Sequence, residues 1–161
     1  MKNLKFMLHA AIIAAVYAVL TIQLAPISYG PLQVRVSEAL TVLPLFTPAA
    51  IPGLTIGCLI ANIGGPNGLL DIVFGTLATL LAAVVSYLLR KNKMLVPLPP
   101  VLFNAVIVGG LLFFTLSKTG DATPLPLFML WVGLGELIAC YVIGFPLMKA
   151  LEKYKRIFEI K

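Results

Sequence analysis

Six apolar runs, separated by short polar or glycine- and proline-rich segments, make up most of the sequence. They are residues 6–24, 36–46, 50–63, 72–89, 98–116 and 125–148. A helix needs about 20 apolar residues to cross the hydrocarbon core of a bilayer. The first, fourth, fifth and sixth runs are long enough, whereas the second and third are short. The pattern predicts an all-α integral membrane protein, a bundle of six transmembrane helices. The two short segments either cross a thin region or form a re-entrant pair.

The composition argues against a water-soluble protein of this size. Of 161 residues, 60% are hydrophobic and 11% are charged, whereas a soluble domain has about 25% charged residues. Six segments and their connections use the whole chain. We therefore expect one transmembrane domain, residues 1–161, that ends in a basic cytoplasmic tail at residues 149–161.

The basic residues predict the orientation, because cytoplasmic loops are enriched in lysine and arginine. With the N-terminus inside and an even number of crossings, ten of the twelve basic residues lie in the cytoplasm, and only Arg35 and Lys118 lie outside. An odd number of crossings would separate the basic segment 90–93 from the basic tail. We therefore expect both termini inside. Six crossings and four crossings plus a re-entrant pair have the same parity and are not distinguished.

Ionisable residues at membrane depth are the main candidates for function, since each costs about 2.5–3.5 kcal/mol at a helix centre. Glu136 lies well inside the last run with no basic residue within one helical turn. It is protonated, paired with Arg35, or directed at a ligand. Arg35 and Glu38 have the spacing of an intrahelical ion pair. Asp71 stands where a carboxylate interacts favourably with a helix N-terminus. Each is also a candidate for ligand binding.

Other polar or aromatic side chains on the same outer side extend this candidate site. The predicted substrate-binding residues are Tyr29, Gln33, Arg35, Glu38, Asn62, Asp71, Trp131 and Glu136. Asn67 adds a further donor and acceptor. Asn104 lies nearer the cytoplasmic end of its run and is left out of the site. Asp121 is expected to be solvated in a loop.

Small residues recur four apart in the first run. Ala10, Ala14 and Ala18 form one stripe, and Ala11 and Ala15 form a neighbouring one. Such stripes let another helix approach closely in lipid, either within the bundle or on a partner membrane protein. If the stripe is a docking face, we expect a bulky residue at Ala14 to impair assembly with the partner. Ala15 is the alternative contact.

Signatures of enzymes and metal sites are missing from the sequence. It contains no G-x-x-x-x-G-K-[ST] phosphate loop and no G-x-S-x-G elbow. His9 is the single histidine, so no histidine–carboxylate cluster is available for a metal. Cys58 and Cys140 lie in apolar runs and are expected to be buried as small hydrophobic side chains. The sequence predicts no enzymatic activity, no metal and no cofactor in this chain.

Two segments resemble the QueT family of transport proteins. Residues 33–44, QVRVSEALTVLP, resemble its signature, and residues 70–81, LDIVFGTLATLL, resemble a later segment. The resemblance covers essentially the whole chain. The family consists of substrate-binding S-components of energy-coupling factor (ECF) transporters for queuosine precursors. The resemblance implies a six-helix protein of a bacterial plasma membrane. It would capture a deazaguanine such as preQ1, preQ0 or queuine from the extracellular side.

The resemblance also implies partners for this chain. A separate ECF module, consisting of one transmembrane T-protein and two cytoplasmic ATPases, would use ATP to drive uptake. The alanines spaced four apart on the first helix would contact this module. Residues 25–33 would help to cover the binding pocket.

The chemistry of the candidate site is compatible with such a ligand. The 2-aminopyrimidinone edge of a deazaguanine presents adjacent N–H donors, which a carboxylate accepts in parallel. Glu38, Asp71 and Glu136 outnumber Arg35, which suits a donor-rich or cationic ligand. Three alternatives stay open. They are the same fold with another vitamin-like ligand, a self-sufficient secondary transporter in which Glu136 carries a proton, and a structural subunit whose carboxylates pair internally.

Overall fold

The computed structural model describes residues 2–29, 33–65 and 68–158, and the regular structure in these ranges is helical throughout. The principal α-helices are α1, Lys2–Gln23; α2, Ala50–Ile63; α3, Gly68–Leu88; α4, Leu98–Ser117; and α5, Leu125–Glu152. A 3-10 helix, Val36–Leu45, lies between α1 and α2 and is called the 3-10 segment below. Short helical turns are formed by Ala25–Ser28 and Lys155–Phe158.

Four helices are long and apolar enough to cross a membrane. They are α1, α3, α4 and α5, with 22, 21, 20 and 28 residues. They correspond to the four long apolar runs, so the prediction of an all-helical chain with several candidate membrane spans is confirmed. The ten residues of the 3-10 segment and the fourteen of α2 each extend about 20 Å, which is less than the roughly 30 Å of the hydrocarbon core. The six-crossing bundle and the cytoplasmic termini remain predictions.

The 3-10 segment occupies the centre of the bundle, where it packs against α1, α2, α3 and α5. Its buried residues are Ser37, Glu38, Ala39, Thr41, Val42, Leu43 and Pro44. In a 3-10 helix, side chains three positions apart eclipse one another, so Glu38 and Thr41 share a face. The Thr41 hydroxyl donates a hydrogen bond to the backbone carbonyl of Glu38 at 2.5 Å. This segment therefore carries polar groups into the interior, where the long helices surround them.

Helices α1 and α2 pack closely because glycines of α2 face alanines of α1. A Cβ atom at Gly53 would lie 2.9 Å from the carbonyl oxygen of Ala10, and one at Gly57 would lie 2.8 Å from that of Ala14. Ala10, Ala14 and Ala18 are all buried. The first alanine stripe therefore packs inside the bundle, as small residues do between membrane helices.

This packing corrects the choice of Ala14 as the contact for a partner. The stripe Ala10, Ala14 and Ala18 is covered by this chain's own α2 and is not a free surface. Ala11 and Ala15, on the adjacent face of α1, are exposed. If α1 carries a docking face, it is this second pair.

The C-terminal segment folds back onto the end of the bundle where α1 begins. Helix α5 continues to Glu152, past the predicted start of the tail at residue 149, and Glu152 pairs with Lys93 at 2.7 Å. Phe158 stacks on Phe46 with 5.5 Å between ring centroids. Residues 159–161 of the predicted tail lie outside the described residues.

We expect Gly57→Ala to destabilise the folded protein by about 1–3 kcal/mol, the usual cost of overpacking. The added methyl group would lie 2.8 Å from backbone and side-chain atoms of α1, so the two helices would have to separate. Thermal unfolding in detergent measures the effect. Gly110→Ala is the matched control, because nothing lies within 4 Å of its added Cβ atom. Equal midpoints for the two variants would contradict the close packing.

Candidate functional site

A buried ion pair joins the start of the 3-10 segment to α3. Nη2 of Arg35 lies 3.2 Å from Oδ2 of Asp71, and the two side chains are 4% and 1% exposed. The Arg35 guanidinium also lies 5.3 Å from the centre of the Tyr29 ring. The Asn62 amide donates to the backbone carbonyl of Asp71 at 3.0 Å. Four predicted site residues, from four separate parts of the chain, therefore meet here.

The expected ion pair between Arg35 and Glu38 is absent from the described part of the chain. Arg35 precedes the 3-10 segment in an extended conformation, with φ −81° and ψ 98°, so helical spacing does not apply to it. Glu38 instead accepts a hydrogen bond from the hydroxyl of Tyr17 in α1. Asp71 is also not the first residue of its helix, because α3 begins at Gly68. Its carboxylate pairs with the guanidinium of Arg35.

A second buried group contains Glu38 and Glu136, whose side chains are 0% and 2% exposed. The two carboxyl groups interact electrostatically, and Glu136 also forms a side-chain hydrogen bond with Asn104. Sγ of Cys140 lies 3.6 Å from the backbone oxygen of Glu38 and 3.7 Å from Oε2 of Glu136. The Thr79 side chain also hydrogen-bonds the Glu38 carboxyl group, whereas Oε2 of Glu38 has no hydrogen-bond partner within the described ranges. This group therefore presents acceptor oxygens that neutral protein donors only partly satisfy.

Two π-helical stretches lie beside these acidic residues, over Asp71–Gly75 in α3 and over Ile138–Ile143 in α5. Such insertions in α-helices occur frequently at functional sites. The first one ends at Gly75, where a Cβ atom would lie 2.9 Å from both Nδ2 of Asn62 and Oδ1 of Asp71. A glycine at this position leaves the space that these two side chains occupy.

Gln33 and Trp131 are not part of either group. Gln33 is buried and has φ 45°, a left-handed conformation that is uncommon for residues other than glycine. Its carbonyl accepts a hydrogen bond from the Arg35 amide at 2.8 Å, so it shapes the chain before the 3-10 segment. Trp131 is half-buried and packs edge-on against Phe128 with 5.8 Å between centroids. Asn67 and residues 30–32 of the predicted cover lie outside the described residues.

Tyr17 was not identified from the sequence as a member of the site, and Asn104 was left out of it. Both lie on long apolar helices, and both bond a buried glutamate. The sequence did contain a signal that could have identified these residues. A buried hydroxyl or amide needs a hydrogen-bond partner, and Tyr17 lies one helical turn after Ala14 on the buried face of α1.

The two cysteines were predicted to be simple hydrophobic side chains. Both are buried, as expected, but their sulfur atoms are also hydrogen-bonded. Sγ of Cys58 accepts bonds from Thr79 at 3.2 Å and from Asn62 at 3.4 Å. Cys140 contacts Glu136. Each thiol therefore belongs to one of the two buried polar groups.

Asp121 and Tyr29, which lie outside the membrane-spanning helices, have shifted pKa values. Asp121 is exposed in the loop between α4 and α5, as predicted. Hydrogen bonds from Thr123, one of them from the backbone N–H at 2.8 Å, hold the pKa of the Asp121 carboxyl below its usual value. Partial burial raises the pKa of the Tyr29 phenol. Its hydroxyl donates to the carbonyl of Ala61 at 2.6 Å.

Comparisons with known proteins identify the family of this chain. Over 81 residues it is 42% identical to the Queuosine precursor transporter QueT of Lactococcus lactis subsp. cremoris (strain MG1363). The match covers 49% of this chain and 47% of that protein, so it spans about half the length of the relative. No solved structure matches this chain. The family model described as QueT transporter matches residues 7–153. Because this match includes nearly all of the sequence, the chain belongs to the QueT transporter family.

Proposed function

We propose that this chain is the substrate-binding S-component of an ECF importer and binds a queuosine precursor from the extracellular side. Membership of the QueT family and the name of the Lactococcus relative support the proposal. The observation that carries it is the buried pair Glu38 and Glu136, in which Oε2 of Glu38 has no donor among the described residues. A buried acceptor without a partner is costly, and a ligand rich in N–H donors would satisfy it.

The proposed binding mode uses the two glutamates as acceptors. Arg35 forms its ion pair with Asp71 at 3.2 Å and not with either glutamate, so the remaining acceptor positions of the glutamates would receive N–H groups of the ligand. The aminopyrimidinone edge of a deazaguanine would donate two parallel hydrogen bonds to one carboxylate. Tyr17 and Asn104 would keep the two side chains in place by their hydrogen bonds to Glu38 and Glu136.

Ligand entry requires part of the bundle to open, since the glutamates are fully buried, and the proposal assigns this movement to the segment that carries Tyr29. Tyr29 bonds the carbonyl of Ala61, near the end of α2. Its ring also lies against Gly65, where a Cβ atom would be only 2.8 Å from the ring. We propose that Tyr29 closes the site after the ligand has entered.

Uptake by this mechanism requires partner subunits. The chain has no phosphate-binding loop of its own, so an ECF module of one T-protein and two cytoplasmic ATPases would hydrolyse ATP. Its proposed docking face on α1 contains Ala11 and Ala15, flanked by the exposed side chains of Leu8, Ile12 and Val19. The proposal places the chain in the bacterial plasma membrane with both termini inside, in agreement with the distribution of basic residues.

Ligand binding by the isolated protein tests the proposal. We expect mass spectrometry of the detergent-purified chain to detect a deazaguanine, and calorimetric titration to show binding of at least one deazaguanine at one site per chain. Glu152→Gln is the control variant, since Glu152 pairs with Lys93 away from both glutamates. Absence of binding to every deazaguanine would refute the proposal. Uptake by the chain alone, driven by a pH gradient and independent of ATP, would favour a proton-coupled transporter instead.

A further inference from the structure

The two buried groups differ in charge balance. Within the described ranges, Arg35 is the one buried lysine or arginine, whereas three acidic side chains are buried, namely Glu38, Asp71 and Glu136. Arg35 and Asp71 form an ion pair at 3.2 Å and so neutralise each other. Arg35 interacts electrostatically with both glutamates, but within this part of the chain neither glutamate forms an ion pair with a lysine or arginine.

Neutral hydrogen-bond donors surround the glutamates instead. Tyr17 donates to Oε1 of Glu38, and Thr79 also hydrogen-bonds the Glu38 carboxyl group. Glu136 has contacts with Cys140 and Asn104. Neutral donors hydrogen-bond a buried carboxylate but leave its charge unpaired, whereas a cation would also compensate the charge. The remaining oxygen, Oε2 of Glu38, is buried and has no partner among the described residues. The site is therefore complementary to a positive charge placed at Oε2.

Building on the proposed function, we infer that the site selects a deazaguanine that carries a protonated aminomethyl group over one that carries a neutral group such as a nitrile. The ammonium would bond Oε2 of Glu38, and the N–H edge of the ring would bond Glu136. This division rests on the hydrogen-bond partners of the two carboxyl groups. Glu38 has one oxygen already bonded to Tyr17 and one available, which suits a single ammonium. Receiving a flat two-donor edge needs both oxygens of one carboxylate. Each carboxylate oxygen can accept a second bond, so Glu136 can accept the edge beside its contacts with Cys140 and Asn104.

Calorimetric titration of the purified full chain with the aminomethyl and the cyano derivatives of deazaguanine tests this inference. The two ligands share the ring and differ in charge at one substituent. We expect the aminomethyl compound to bind about 10- to 100-fold more tightly, the value of one hydrogen bond between charged groups. Equal affinities would overturn the inference while leaving the proposed function intact. Absence of binding to both compounds would also overturn the inference, and only absence of binding to every deazaguanine would refute the proposed function.

Substitution of each glutamate in turn tests which of the two is responsible for the preference for the aminomethyl compound. Glu38→Gln should reduce the ratio of the two affinities to about one, by weakening the aminomethyl compound alone. Glu136→Gln should weaken both compounds and preserve the ratio, since both share the ring edge. A ratio that persists in folded Glu38→Gln would overturn the role assigned to Glu38. The comparison of the two ligands on the unchanged protein does not depend on whether either variant folds.

Discussion

Glu136→Gln lowers the affinity for a deazaguanine by about 30- to 1,000-fold in calorimetric titration, if Glu136 receives the N–H edge of the ligand. The substitution keeps the size of the side chain but replaces one of two acceptor oxygens by an NH₂ donor. That donor would face the donors of the ligand in a site that is 2% exposed. Losing a charge-assisted bond and leaving a buried group unpaired costs roughly 2–4 kcal/mol. At about 1.4 kcal/mol per tenfold change, this corresponds to the stated range.

The control for this experiment is Glu152→Gln, which makes the same chemical change at a residue that pairs with Lys93 at a distance of 2.7 Å. It should bind the ligand as the unchanged protein does. Unchanged affinity for the aminomethyl compound in both Glu136→Gln and Glu38→Gln, with both variants folded, would rule out these glutamates as the binding site. The carboxyl groups would then serve internal packing and hydrogen bonding.

Ala15→Trp is expected to reduce ATP-dependent uptake to the background level while leaving ligand binding by the isolated subunit unchanged. Ala15 is exposed on α1, so an indole there would project from the proposed docking face and keep a partner helix at a distance. Uptake into cells or vesicles that contain the ECF module measures the first effect, and titration of the purified chain measures the second. Co-purification of the module with the variant reports assembly directly.

Two further tryptophan variants serve as controls for Ala15→Trp. Val106→Trp, at a position on α4 that is 59% exposed, should support normal uptake, because it changes a different surface. Ala14→Trp should unfold or destabilise the chain, because Ala14 is packed against Gly57 of α2. Normal uptake and assembly with Ala15→Trp would exclude the exposed alanine face as the docking surface.

The alanine stripes show where prediction from the sequence reached its limit. Spacing of four residues indicated a helix face that permits close approach, and that conclusion was right. It did not indicate which of two adjacent faces would be covered by the chain itself. The answer depends on Gly53 and Gly57, which are in another helix and leave space for Ala10 and Ala14.

In the candidate site, too, the sequence predicted which residues matter but not which residues they contact. The rarity of charge at membrane depth singled out Arg35, Glu38, Asp71 and Glu136 from the sequence, and all four are buried in the structure. The partners were not predictable from spacing. Arg35 pairs with a residue 36 positions away, because the chain before the 3-10 segment is extended and turns the guanidinium towards α3.

The sequence by itself determined the all-helical class, the four long apolar helices and the identity of the buried ionisable residues. These features follow from the cost of exposing polar groups to lipid, which acts on each segment separately. The tertiary structure alone decided that the 3-10 segment lies at the centre, that Tyr17 and Asn104 join the glutamates, and that Asp71 neutralises Arg35. These features depend on which helices are neighbours. That is set by the packing of side-chain volumes over the whole bundle rather than by any one segment.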